Sequence, residues 1–416
     1  MTDKTLQQFL EGVFSLADKQ CGDEFAREMT AILIEREKVL KESWKKVKPE
    51  DIDPTDSKKL LREIDFDTIV IHAGEYLDRK EYLVFLFNVA DMGIGFGEFE
   101  KAERLLRLLA TRYARLTPIS LLAKTHQKLA IIARNRNDFK KAHGELRKSL
   151  KFYAQIQDKT GIASVKNSTG ILLVEQGRTS EGIDIFQQAK KIAKAEGLED
   201  LLAKINMNIG NACTMCGFWE KAKTVYEETL SILGRKRMDG FRARLFHNMA
   251  IVYAAQDQFS KALESLHKSI EYSTRANDVY MKNLSYLEQA AVHCRQKDLD
   301  SATAIAISAF RTLSDIGDRL SIADVYKVLG MINRERNKFE VALSFFERSK
   351  RINEEYKNPL NLGETLVEMG QLYARIGNYS MAIKRIRSAI KCFKQINAEG
   401  RILTANRFIT DTFPSA

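Results

Sequence analysis

Cys213 and Cys216 stand in the run CTMC, the spacing of a dithiol redox pair or of one half of a zinc site. Either chemistry needs more than the pair: a second CxxC, or a strand and helix that present it. Neither is present, and the other cysteines, Cys21, Cys294 and Cys392, follow at irregular spacing. The pair therefore reads as packing inside a helix. Histidines 72, 126, 143, 247, 267 and 293 are scattered, and no HExxH, GxSxG or phosphate-binding glycine loop occurs. The run MGIGFGEF at 92–99 has GxGxG-like spacing, but the repeat described next places Gly93 inside a helix and makes Gly97 a turn. NST at 167, NLS at 283 and NYS at 378 fit the glycosylation pattern, fall on expected helices, and carry no weight. The expectation is a chain with no catalytic residues, no metal and no cofactor.

The elements that position these residues repeat eight times at a 40-residue period. A small residue leads each unit: Ala90, Ala130, Gly170, Gly210, Ala250, Ala290, Gly330 and Gly370. Nine positions later comes Phe99, Phe139, Thr179, Trp219, Phe259, Leu299, Phe339 or Tyr379, and three further on a second small row, Ala102 to Ala382 with Gly182 among them. A bulky row follows four later: Leu106, Leu146, Phe186, Tyr226, Leu266, Ala306, Phe346 and Ile386. Self-similarity at a fixed period marks a solenoid, in which each unit buries its apolar face against its neighbours.

Within residues 121–156 the apolar residues fall in two blocks at helical three-and-four spacing, split by NRND. Asn137 occupies the turn. The equivalent positions are Gly97, Gly177, Gly217, Asp257, Lys297, Asn337 and Gly377, dominated by residues that tolerate a positive φ at a helix end. Each unit is thus expected to be an antiparallel helical hairpin. Only five prolines occur, at 49, 54, 118, 359 and 414, and none interrupts an apolar-periodic stretch.

The organisation expected is a helical leader over 1–80, an array over 81–395 and a capping helix with tail over 396–416. The leader should hold helices at about 5–19, 23–46 and 67–78, with a break at KPEDIDPTDS (48–57). Phe25, Met29, Ile32, Val39, Leu40, Trp44 and Val47 trace an apolar stripe interrupted by Arg36, for docking on the first repeat or for self-association. RILTANRFIT at 401–410 should cap the array. The leader carries a charge of −4 and the remainder +15, which favours acidic partners. The N-terminus has no basic start followed by an apolar run, and no stretch approaches a membrane span, so a cytoplasmic protein is expected.

The small, aromatic and small rows resemble the tetratricopeptide repeat, in the longer 40-residue variety of LGN-type adaptors and Rap-type regulators. The resemblance implies an all-α, right-handed superhelical solenoid of about eight hairpins, whose first helices line a groove for extended peptides. Counted from each small residue, the groove positions include Lys124, Lys128, Arg134, Asn167, Lys204, Met207, Asn208, Asn211, Met215, Arg244, His247 and Asn248. Asn208 and Asn248 match the asparagine that such repeats use on a peptide backbone. Lysine and arginine would supply charge for an acidic peptide, and Met207 and Met215 an adaptable floor. Glu288, Asp324, Glu335, Glu364 and Glu368 make the later groove acidic. The expected function is a non-enzymatic scaffold or adaptor. The alternatives are a Rap-like peptide sensor that contacts its target through the leader, and nucleic-acid binding by the basic array, which few groove aromatics support.

Overall fold

A computed structural model of the chain describes residues 3–44, 66–234 and 236–413. All regular structure among them is helical. Leader helices α1 (Asp3–Cys21), α2 (Asp23–Trp44) and α3 (66–76) precede eight hairpins. The hairpins are α4 (Arg79–Phe96) with α5 (Phe99–Ala110), α6 (Ile119–Asn135) with α7 (Phe139–Gln155), α8 (Lys159–Glu175) with α9 (Thr179–Ala195), and α10 (Glu199–Cys216) with α11 (Trp219–Leu233). They continue as α12 (Asp239–Ala255) with α13 (Phe259–Arg275), α14 (Val279–Arg295) with α15 (Leu299–Ile316), α16 (Arg319–Glu335) with α17 (Phe339–Glu355), and α18 (Pro359–Arg375) with α19 (Tyr379–Gln395). Helix α20 (Glu399–Thr412) ends the array. The chain divides into two compact units, Met1–Ser168 and Thr169–Ala416.

The turns explain the regularity. All eight turn residues named from the sequence have a positive φ, from 58° at Asn137 to 80° at Gly377. A second such row, absent from the sequence expectations, joins one hairpin to the next at Gln157, Gly197, Asn277, Gly317 and Lys357, and the last hairpin to α20 at Asn397. After most of these left-handed residues the next N–H bonds back five residues, as Asp138 N does to Ala133 O (2.9 Å) and Asn378 N to Tyr373 O (2.9 Å). That bond closes the helix end and satisfies a carbonyl the helix leaves unpaired. Where the following residue is Asp or Asn its side chain also caps the next helix, as Asp138 does by accepting from Lys141 N at 3.0 Å. Asn378, expected inside a helix, is such a cap.

Inside a hairpin the leading small residue and the bulky residue sixteen later share one space. The aromatic ring of Phe346 runs so close to Gly330 that a Cβ there would lie 2.5 Å from Cε1, and Phe186 crowds Gly170 in the same way. Where the bulky partner is Leu, at 106, 146 and 266, the small residue is Ala. Volume is balanced within these pairs, as close packing requires, whereas the sixth hairpin sets Ala290 opposite Ala306.

In the first unit the leader packs onto the first hairpin. Phe9, Val13, Ala17, Phe25, Met29 and Phe66 are fully buried in one core with Leu86 and Ala90. Gly12 of α1 passes beside Met92 of α4, and Phe9 stacks on Phe66 with centroids 5.7 Å apart. Of the expected stripe, Phe25 and Met29 are buried and Ile32 is partly so. The side chains of Arg36, Val39, Leu40 and Trp44, with Val47 and the break at 48–57, lie outside the described residues.

In the second unit α20 begins two residues before the expected Arg401. It covers Ile386 and Ile390 with Ile402, Phe408 and Ile409.

The paired volumes make a test. Gly330→Ala should lower stability to chemical denaturation by about 1–3 kcal/mol, the usual cost of overpacking. Adding Phe346→Leu should restore most of the loss, and a double variant no more stable than Gly330→Ala would contradict the pairing.

Candidate functional site on the face of the first helices

Side-chain bonds between successive first helices span 34 to 41 residues, one period less or more a few positions, and they line the candidate groove. In the first unit Gln127 Nε2 donates to Ser164 Oγ (2.8 Å) and Ser168 Oγ (3.1 Å). Lys124 is exposed without an ion pair among the described residues, whereas Lys128 pairs with Asp91 and is not a free cation. Arg134 and Asn167 both have partners.

In the second unit an amide cluster forms where α10 meets α12. Asn248 Nδ2 donates to Asn211 Oδ1 at 2.7 Å and points at Met207 Sδ at 3.5 Å. The Tyr226 hydroxyl donates to the same Asn211 oxygen at 2.8 Å and lies 3.3 Å from Thr214 Oγ1. Tyr226 comes from α11 and is wholly buried, yet its hydroxyl reaches this face because Gly210 leaves the ring room to cross α10. The sequence signal was a hydroxyl in a row otherwise Leu, Phe, Ile or Ala. Asn208 is also engaged. Asn211 Nδ2 and Asn248 Oδ1 keep no hydrogen-bond partner among the described residues.

Around this cluster Lys204 and Arg244 are exposed and form no ion pair among the described residues. His247 Nδ1 lies 3.2 Å from Ser285 Oγ, and burial holds its pKa down at about 4, so the ring is neutral at pH 7. The methionines do not form an open floor. Met207 is only 7% exposed beneath Asn248, and Met215 packs against the core while its carbonyl accepts from Arg401 Nε at 2.9 Å.

The later, acidic stretch is largely neutralised. Lys327, at a groove position of the seventh hairpin, bonds Glu364 Oε2 (2.6 Å) and Asp324 Oδ1 (3.1 Å). Arg401 takes the other Glu364 oxygen at 2.8 Å, and Arg334 Nη1 reaches Glu368 at 2.7 Å and Gln371 at 2.9 Å. Glu335 pairs with Lys297 and Arg375. Burial alone would raise the Glu364 carboxyl, but Lys327 and Arg401 outweigh it and hold the pKa at about 2. Glu288 has no bonded partner among the described residues, and burial lifts its pKa to about 6.

The CTMC thiols lie in α10, both buried, and burial raises each pKa, that of Cys216 to about 11. At neutral pH they are protonated and weakly nucleophilic. Among the described residues no group of three or more His, Cys, Asp or Glu could hold a metal ion, and no helix is long and apolar enough to cross a membrane.

Residues 283–355 match the family model described as tetratricopeptide repeat, and the eight hairpins share the spacing of that segment. The hairpins are tetratricopeptide repeats. Residues 331–406 also match a model described as anaphase-promoting complex subunit 5. No curated protein matches the chain. Among solved structures, a Rap protein complexed with competence and sporulation factor is 13% identical with a TM-score of 0.61, over 90% of this chain and 99% of that one. Aspartyl phosphate phosphatase F from Bacillus subtilis is 12% identical with a TM-score of 0.55, over 96% of each chain. NprR in complex with its cognate peptide NprX is 15% identical with a TM-score of 0.53, over 68% of this chain and 86% of that one. At these identities the likeness establishes the all-α repeat fold.

Glu288 makes this electrostatic account testable. The folded carboxyl keeps its proton up to about 6 against an ordinary 4.5, so the stabilisation present below 4.5 is lost as the pH rises to 6. Glu288→Gln should therefore raise the thermal midpoint at pH 7.5 and leave it nearly unchanged at pH 4. No gain at pH 7.5 would contradict the burial of an unpaired carboxylate.

Proposed function

We propose that this protein is a non-enzymatic binding protein that holds an extended peptide along the first helices of its tetratricopeptide array, at the amide cluster of α10 and α12. The observation that carries this reading is the pair left over there, one donor at Asn211 Nδ2 and one acceptor at Asn248 Oδ1. A donor and an acceptor on adjacent repeats match the N–H and C=O of a peptide backbone, whatever its side chains. The unpaired Lys204 and Arg244 flank the cluster and favour a peptide bearing Asp or Glu. Two structural neighbours carry a bound factor or peptide, which fits the same reading.

Although one neighbour is named a phosphatase, the groove residues of this chain favour recognition over catalysis. His247 is neutral and shares its bond with a core serine, and the nearby thiols are protonated. A Rap-like regulatory variant of the proposal adds a target protein contacted by the leader. The likeness to the Rap complex over 90% of the chain favours that variant.

Peptides selected against the whole chain from a synthetic library test the proposal by calorimetry. Asn211→Ala with Asn248→Ala should weaken them by about tenfold or more, the loss of one or two hydrogen bonds. Arg244→Ala should weaken chiefly those with acidic residues. Unchanged affinity in the double variant would remove the amide cluster from the binding site.

A further inference from the structure

The repeats of the second unit break their own pattern where the C-terminal segment arrives. The position that starts each second helix is Thr in the third hairpin only. Thr179 is wholly buried, and its hydroxyl donates to the Ile396 carbonyl at 3.0 Å. Beside it Asn397 Nδ2 donates to the Gly177 carbonyl at 2.7 Å. Main chain meets main chain here: a Cβ on Gly177 would lie 2.5 Å from Gln395 O, and one on Gly400 would lie 2.7 Å from Cys216 O.

Arg401 fastens the junction. Its Nε and Nη2 donate to Met215 O (2.9 Å) and Thr214 O (3.4 Å), carbonyls at the negative end of α10. Its Nη1 pairs with Glu364 on α18 at 2.8 Å, and the guanidinium lies over the Trp219 ring, 5.2 Å from its centre. Hairpins three and four are thereby joined to residues some 180 to 220 positions later by hydrogen bonds and a ring contact, with Met215 packed against the apolar core of the later hairpins. Consecutive hairpins share buried aliphatic and aromatic surface instead. Hydrogen bonds exchange with water at small net cost, whereas buried apolar surface does not, so a seam with this share of polar bonds is a natural place for the unit to open.

We propose that residues 395–401 form a reversible clasp that closes hairpins three to eight on themselves, pinned by Arg401. The pin shares Glu364 with Lys327, so the clasp is tied to the carboxylates of the candidate groove. This inference stands without the peptide reading.

Cys216 reports on it. Its Sγ lies 3.7 Å from Asn397 O, and the residue is 2% exposed beneath the clasp. The experiment labels the thiols of the full chain with N-ethylmaleimide and follows each cysteine by mass spectrometry. Arg401→Ala and Glu364→Gln should each speed labelling of Cys216 by about tenfold, the weight of one charge-assisted hydrogen bond, and Asn397→Gly, which keeps the left-handed turn and loses one neutral bond, by about fivefold. Cys294, in α14, should keep its wild-type rate. Arg401→Ala combined with Glu364→Gln should label no faster than Arg401→Ala alone. Asn397→Gly leaves every charge paired and the left-handed turn unstrained, and serves if the other two fold poorly. Wild-type rates at Cys216 in all three variants would overturn the clasp, as would Cys294 accelerating in step with Cys216, which would mean loosening of the whole unit.

Discussion

One left-handed backbone residue at every twentieth position sets the geometry on which everything else rests. From Asn137 to Asn397 the beat fails only at 237, where Gly234 makes the turn instead. Between beats runs a helix of 15 to 18 residues, and at each beat the chain reverses. Gly and Asn take this conformation cheaply, but Gln157, Lys297 and Lys357 also take it, at a cost of roughly 1–2 kcal/mol each. A residue held there against its preference shows that packing on both sides determines the turn. The close approach of the helices, with Gly set opposite Phe or Tyr and Ala opposite Leu, supplies that packing.

The same beat builds the candidate site. Because each hairpin repeats its predecessor, positions 37 apart, three short of a full period, come within bonding distance on successive first helices: Asn248 with Asn211, Gln127 with Ser164, Lys327 with Glu364. The face is therefore a ladder of side chains, each rung partly spent on its neighbour. What a ligand would meet in the second unit, among the described residues, is the remainder: an amide donor, an amide acceptor, the lone cations Lys204 and Arg244, and a carboxyl without a bonded partner at Glu288. Gly210 shows how packing reaches function, since its missing side chain lets the Tyr226 hydroxyl cross from the second helix and orient Asn211.

Most of the array was legible in the sequence because its cause is local. The turn residues from Gly97 to Gly377 and the small rows sit where packing and φ demand, and the sequence states those demands directly. The joining row was not legible, because Gln157 and Lys357 carry no turn signal and adopt it under packing alone. The groove was half legible. Positions could be counted, but pairing could not, so Lys128 looked free and the acids from Asp324 to Glu368 looked like an open field. Lys327 and Arg334 were present at the right spacing and could have been paired with residues about 37 later. Met207 looked like floor and is largely buried. Thr179 stood out in its row, but its partner lies 217 residues away, beyond any periodic argument.

Peptide contact with the first-helix face is the central functional claim. The most direct measurement is amide hydrogen exchange of the full chain, with and without a library-selected peptide, resolved by mass spectrometry. The account predicts new protection in α10 and α12, concentrated at 204–215 and 244–255, with the second helices α11 and α13 unchanged. Protection confined to those second helices or to the leader would contradict it.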